Sequence, residues 1–163
     1  EKSGVYKLAM VDWLDDFVPN SELSINQFTA IQFHTAARIM IDSINNGTIY
    51  PELLPDTRID LSVKLDSLSP PKTIAAMLDF FEAGHTLVAG FPISSTAVPG
   101  ATVGSVYGMA QLSGISSTNE LSNDHIYPYY NRLAVVNSGY ADSIKEALLY
   151  YENIGGRGWN DVA

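Results

Sequence analysis

The chain has 163 residues, of which 46% are hydrophobic and 17% are charged, a composition typical of one folded globular domain. Its 18 acidic and 9 basic residues give a formal charge of −9, which argues against nucleic acid and anionic membrane surfaces as partners. Cysteine is absent, so disulfide scaffolds, thiolate zinc sites and cysteine nucleophiles are excluded. No apolar run approaches the roughly 20 residues of a transmembrane helix.

The first half of the chain predicts two strands, each followed by a helix. Residues 4–12 are apolar enough for a buried strand. The spacing of apolar side chains over 28–46 is typical of a helix that ends at Gly47. Residues 58–66 alternate apolar and polar side chains, which predicts a second strand. A second helix is predicted over 72–83, between a pair of prolines and a glycine.

The second half continues the same alternation. A short apolar strand over 87–91 precedes a helix of small residues, predicted from about 99 to 111, and the next strand is predicted over 112–115. A polar, aromatic loop then leads to a short extended segment over 131–136 and a last helix from 138 to about 153. Strands that alternate with helices predict an α/β fold: a doubly wound parallel sheet with helices on both faces.

Two clusters of hydroxyl side chains follow the third and fourth predicted strands. Residues 94–96 and residues 116–118 both read Ser-Ser-Thr. Because the carboxyl ends of parallel strands meet at one edge of a sheet, both clusters are expected where open α/β sheets bind small polar ligands. An ordinary helix cap and a polar turn would explain the same residues, so both interpretations stay open at this point.

Other residues that could bind a metal or take part in catalysis give weaker signals. The three histidines are widely spaced and lack the spacing of metal ligands, and Asp15-Asp16 is better explained as a solvated loop than as a calcium site, so no metal or cofactor is expected. Gly100, Gly104 and Gly108 recur every four residues, which suits either close packing on the sheet or a helix–helix dimer face. The sequence contains neither a dinucleotide fingerprint nor a nucleophile elbow, so an enzyme is not expected.

Two isolated features complete the list of candidate sites. The triplet Asn46-Gly47-Thr48 matches the acceptor pattern of N-linked glycosylation, a short match that is common by chance, and we predict Asn46 as a glycosylation site. Trp13 follows the first strand and either closes over a ligand or packs against the protein.

Six short segments occur along the chain in a distinctive order. They are AARIMIDSIN at 36–45, LLP and the strand after it at 53–66, AGFPISST at 89–96, STNELS at 117–122, YPYYNRL at 127–133 and GWNDVA at 158–163. Together they resemble the type I periplasmic-binding-protein, or Venus-flytrap, ligand-binding domains. That family includes bacterial amino-acid binding proteins, receptor guanylate cyclases and class C G-protein-coupled receptors.

The resemblance implies a domain boundary and a ligand. Residues 1–163 would form the N-terminal lobe, and a second lobe would begin near residue 161 and lie outside this chain. The lobe would bind a small polar ligand, possibly an amino acid. The family's pattern assigns the ligand's carboxylate or equivalent anion to the hydroxyls of Ser94, Ser95 and Thr96. It assigns the ligand's amino group or other polar end to the hydroxyls of Ser117 and Thr118.

The resemblance also implies a setting. Members of the family are extracellular, cell-surface or periplasmic proteins, and the receptors among them signal by hinge closure of the two lobes. Homodimers or heterodimers commonly form through helices of the N-terminal lobes. The alternative is a structural or assembly protein that reuses this lobe without a ligand.

Overall fold

The computed structural model describes residues 4–12 and 25–155. Trp13, the acidic pair at 15–16 and the lobe boundary expected near 161 lie outside the described residues. Within the described ranges, five strands and four α-helices are, in order: β1 (Gly4–Asp12), α1 (Ile25–Asn45), β2 (Thr57–Leu65), α2 (Pro70–Glu82), β3 (Leu87–Gly90), α3 (Ser94–Tyr107), β4 (Ala110–Ser113), β5 (Tyr130–Arg132) and α4 (Asn137–Gly155).

The five strands form one parallel sheet in the order β2-β1-β3-β4-β5. Successive residues of a strand point to opposite faces, so Asp12 faces α1 and bonds His34 there, whereas Val11 faces α2 and α3. The predicted α/β fold with a doubly wound parallel sheet is therefore confirmed. Elements β1, β2, α1, α2 and α4 lie within three residues of their predicted ends.

The hydrophobic core lies between the sheet and helices α2 and α3. Met77 and Phe80 of α2 and Ala97 and Ala101 of α3 are fully enclosed against the sheet. Burial of a large apolar side chain of this kind contributes about 1.5–3 kcal/mol, which makes this face the main source of the fold's stability. Among the described helices, none combines the length and the apolar character that crossing a membrane requires.

The position of α3 differs from the prediction. The helix begins at Ser94 rather than near residue 99, and it ends at Tyr107 rather than near 111. Proline usually marks a helix start, but Pro99 is inside this helix, where it leaves the Ser95 carbonyl without its helical N–H donor. Gly108 ends the helix in the left-handed conformation, at φ +67°, and β4 therefore begins two residues before its predicted start.

The glycine repeat of α3 packs against the sheet. A Cβ atom on Gly100 would lie 2.5 Å from the Phe91 ring, and one on Gly104 would lie 1.5 Å from the Gln111 amide nitrogen. These two glycines let the helix approach the sheet closely, while Gly108 serves as the helix cap. The interpretation of the repeat as close packing on the sheet is therefore confirmed. Dimerisation through helices of the chain stays a prediction, and residues other than Gly100 and Gly104 would have to form its interface.

Gly90, the last residue of β3, is the position least able to accept a side chain. Its φ is +129°, and a Cβ there would lie 2.1 Å from the backbone oxygen of Val11 in β1. We expect Gly90→Ala to lower the free energy of unfolding by more than about 2 kcal/mol, because the backbone strain and the collision with a strand add together.

Urea unfolding followed by circular dichroism measures this loss. Gly114→Ala is the matched control, since no atom lies within 4 Å of the position that its Cβ would occupy. The control should change the free energy of unfolding by less than about 0.5 kcal/mol. Equal losses in the two variants would contradict the steric explanation.

Candidate ligand site at the carboxyl edge of the sheet

The carboxyl ends of the strands meet at one edge of the sheet, which we call the carboxyl edge. The three central strands end level with one another, since Val11 pairs with Gly90 and Gly90 pairs with Ser113. The segments that leave β3 and β4 at this edge carry the two hydroxyl clusters. The fold therefore brings together the residues that the sequence places about 20 positions apart.

The first hydroxyl cluster forms the first turn of α3. Its N-cap is Ile93, whose side chain makes no cap hydrogen bond. The carbonyl of Ile93 accepts the amides of Thr96, at 3.2 Å, and Ala97, at 3.0 Å. Within the described part of the chain, no acceptor contacts the amides of Ser94 and Ser95. Two free N–H groups and the positive end of the helix dipole therefore meet here, which is the arrangement that binds anions.

The three side chains of this cluster differ in exposure. Ser95 is exposed and Ser94 is half-buried. Thr96 is fully enclosed, and its hydroxyl donates a 3.1 Å hydrogen bond to the Ile93 carbonyl. The structure thus places Ser94 and Ser95 at the surface of the carboxyl edge, while the Thr96 hydroxyl already serves the helix start.

Ser116 of the second hydroxyl cluster and Ser113, which the sequence did not single out, join the segments after β3 and β4. The Ser113 hydroxyl donates to the Phe91 carbonyl at 2.9 Å and accepts the Ser116 amide at 3.2 Å. The Ser116 hydroxyl in turn donates to the Ser94 hydroxyl at 3.3 Å. Ser113 could have been recognised as a strand-end residue only if β4 had been predicted at its true position.

Ser117 and Thr118, the other predicted site residues, lie in the half-buried segment after β4. The Thr118 carbonyl accepts a 2.5 Å hydrogen bond from Arg132, whose guanidinium also donates to the Ser122 hydroxyl. The Thr118 hydroxyl accepts a long 3.4 Å bond from the amide of Glu120. No polar partner contacts the Ser117 hydroxyl within the residues that the structure describes, so this group is available to a ligand.

Two fully buried carboxylates lie at the same edge, where β1 and β2 end. Asp12 is 3.1 Å from Nδ1 of His34, and Nε2 of His34 accepts a 2.5 Å hydrogen bond from Arg38. Because Nε2 is an acceptor, the proton of the neutral imidazole is on Nδ1 and is donated to Asp12. This bond joins residues 22 positions apart, so no local pattern in the sequence indicates it, and His34 could be considered there only as a metal ligand.

The second carboxylate, Asp66, holds the turn between β2 and α2. Its two oxygens accept hydrogen bonds from the Leu68 amide, at 2.9 Å, and from the Thr73 hydroxyl, at 2.7 Å. Burial raises the pKa of Asp66 above its usual value, and the nearby Asp12 raises it further, although the two hydrogen bonds and Lys72 oppose the rise.

An apolar cavity of about 210 Å³ adjoins the carboxyl edge on the face that α1 covers. Pro92 and Gly114 line it, and each lies two residues before a serine of the two hydroxyl clusters. The rest of its lining is apolar or glycine: Met10, Phe33, Ala37, Ala89, Gly90, Leu112, Ile115 and Leu133. A polar group of a ligand bound at these serines and an apolar group of the same ligand bound in this cavity would therefore lie close together.

Comparison of the sequence with models of known protein families finds no match, and comparison with characterised proteins finds no relative. Function is therefore inferred from the geometry of the carboxyl edge and from the order of segments quoted for the resemblance.

The raised pKa of Asp66 predicts a pH dependence of stability. The unfolded chain releases this proton near pH 4, earlier than the folded protein does, so the free energy of unfolding should fall as the pH rises from about 4 through the folded pKa. Asp66→Asn should lack this fall, because its amide can accept from Leu68 and donate to Thr73 without charge.

Urea unfolding of both proteins at intervals between about pH 4 and pH 7 tests this expectation. The free energy of unfolding of the variant, minus that of the wild type, should increase across the window. A difference that stays constant with pH would show that Asp66 does not titrate as inferred.

Proposed function

We propose that this chain is the N-terminal lobe of a Venus-flytrap domain and binds the polar head of a small amino-acid-like ligand at its carboxyl edge. The observation that carries the proposal is the convergence of the free amides of Ser94 and Ser95 with the segment after β4. The 3.3 Å bond between the Ser116 and Ser94 hydroxyls joins the two segments.

The chemistry of the edge suits a zwitterion. The two free amides at the start of α3 supply N–H donors and partial positive charge for a carboxylate. The Ser95 and Ser117 hydroxyls can donate or accept, so they can bind a carboxylate or an ammonium group without a buried charge of their own. The adjacent apolar cavity suits an apolar side chain of the ligand.

The proposal includes a second lobe that closes over the ligand. One wall of a cleft makes only some of the contacts, so binding by this chain alone should be weak, and closure by hinge motion would add the rest. A receptor at the cell surface, or a periplasmic binding protein, would use that closure as its signal or its capture step.

A second candidate is a structural or assembly protein that reuses the lobe without a ligand. The exposed apolar side chains of α4 favour it: Tyr140 is 51% exposed, Ile144 is 61% and Tyr151 is 60%. A row of such side chains on one helix is typical of a surface that another protein or another copy covers.

Titration of ¹⁵N-labelled protein with glycine, leucine and an amine that lacks a carboxylate tests the first candidate. Binding in the millimolar range, about −4 kcal/mol, should shift the amide signals of Ser94 and Ser95 on addition of the amino acids. Leucine should bind more tightly than glycine because of the cavity, and the amine alone should leave these two amides unchanged.

A substitution pair isolates the role of the backbone amide. Ser94 is the first helical residue, and Ile93 before it is extended, at φ −126° and ψ 154°, so Ser94→Pro fits the helix start and removes one N–H. Ser94→Pro should weaken leucine binding roughly tenfold more than Ser94→Ala does, since a hydrogen bond to a charged group contributes about 1.5–3 kcal/mol.

Ser105→Ala is the control, because the Ser105 hydroxyl bonds the Ala101 carbonyl further along the same helix. It should leave binding unchanged. If no amino acid shifts the amides at 94 and 95 and light scattering shows association of the chain, the assembly candidate replaces the ligand site.

A further inference from the structure

The turn after α1 presents a complete glycosylation triplet at the sheet edge opposite the carboxyl edge, which we call the amino edge. Helix α1 passes the end of β1 at His34 and ends at Asn45 at the amino edge, where β2 begins. Asn45 fixes the turn to β2: its side chain accepts the Ile59 amide at 2.7 Å and donates to the Ile59 carbonyl at 2.8 Å.

The triplet that follows Asn45 is exposed and has a defined geometry. Asn46 and Thr48 are both exposed, and Gly47 between them has φ +74°, a conformation that glycine adopts without strain. Oδ1 of Asn46 accepts hydrogen bonds from the Thr48 amide, at 2.9 Å, and from the Thr48 hydroxyl, at 2.6 Å. The acceptor amide and the hydroxyl that defines the triplet are therefore already side by side.

The reactive atom of the triplet is accessible. No acceptor contacts Nδ2 of Asn46 within the described residues, so an enzyme can reach this nitrogen without breaking a bond of the fold. The full sequence contains no other Asn-X-Ser/Thr triplet, so an N-linked glycan attached by this rule could be only at Asn46.

We propose that Asn46 is N-glycosylated when the chain enters a secretory pathway. The donor class is an oligosaccharide linked through pyrophosphate to a lipid. Nδ2 attacks the anomeric carbon of the first sugar, and the bond from that carbon to the pyrophosphate oxygen breaks. The lipid pyrophosphate leaves with the electron pair, Nδ2 loses one proton to a base of the transferring enzyme, and an N-glycosidic bond results.

The glycan would occupy a different part of the molecule from the proposed ligand. Ile59, which Asn45 anchors, also lines an apolar cleft of about 510 Å³ at the amino edge together with Tyr6 and Leu54. Tyr6 is 61% exposed there, so the sugar would stand beside an apolar surface that is otherwise open to water. This modification is independent of ligand binding, and either proposal can fail without the other.

The test is to express the chain behind a cleavable leader in cultured animal cells and to analyse both the secreted and the retained protein. Treatment with peptide:N-glycosidase should increase the electrophoretic mobility of the wild type and convert Asn46 to aspartate. If the treatment is done in ¹⁸O-labelled water, the new aspartate carries the label and mass spectrometry locates it. Thr48→Ala should remove this shift, and Thr48→Ser should preserve it because the hydroxyl remains.

A folding control accompanies the triplet variants. Within the described residues the Thr48 hydroxyl bonds only Asn46, so Thr48→Ala produced in bacteria should keep the circular dichroism spectrum and urea midpoint of the wild type. A wild-type chain that passes through the secretory pathway without any glycosidase-sensitive mass would overturn the proposal. A glycan that persists in Thr48→Ala would overturn it equally.

Discussion

The fit of Gly90 against Val11 is the contact on which the carboxyl edge depends. A side chain at position 90 would collide with the backbone of β1, so its absence lets β1 and β3 end level with each other. The chain then turns sharply through Phe91, which has φ +58°, and starts α3 within three residues. The strain at Phe91, of order 1 kcal/mol, is offset because its ring is buried against Gly100.

The alternation of strands and helices could be predicted from the sequence because it depends on local periodicity. The start of α3 could not, since its residues are small or apolar on every side and show no helical alternation with polar residues, and Pro99 suggested a later start. The positions of the two hydroxyl clusters after β3 and β4 could be predicted, but the hydrogen bonds that connect these segments could not. The bonds from Ser113 to Phe91 and from His34 to Asp12 each join residues 22 positions apart, and no local pattern encodes such pairs.

The stabilising core and the proposed ligand contacts lie in different parts of the sheet. The face against α2 and α3 is a close-packed apolar core, whereas the carboxyl edge collects buried carboxylates, a strained turn and unpaired amides. Each of these edge features lowers the free energy of unfolding, and burial of the apolar core offsets that loss. Asp66 illustrates the balance, because two hydrogen bonds hold the turn before α2 while burial disfavours the charge of the same carboxyl.

The turn region between α1 and β2 has a practical consequence for attaching this domain to a surface. Residues 50–53 are exposed, belong to no regular element and lie at the amino edge. Chain insertions and chemical tags are tolerated best at such positions. A protein tethered to an electrode or a chip through Glu52 would therefore face the solution with its carboxyl edge, leaving that edge open to whatever analyte is passed over it.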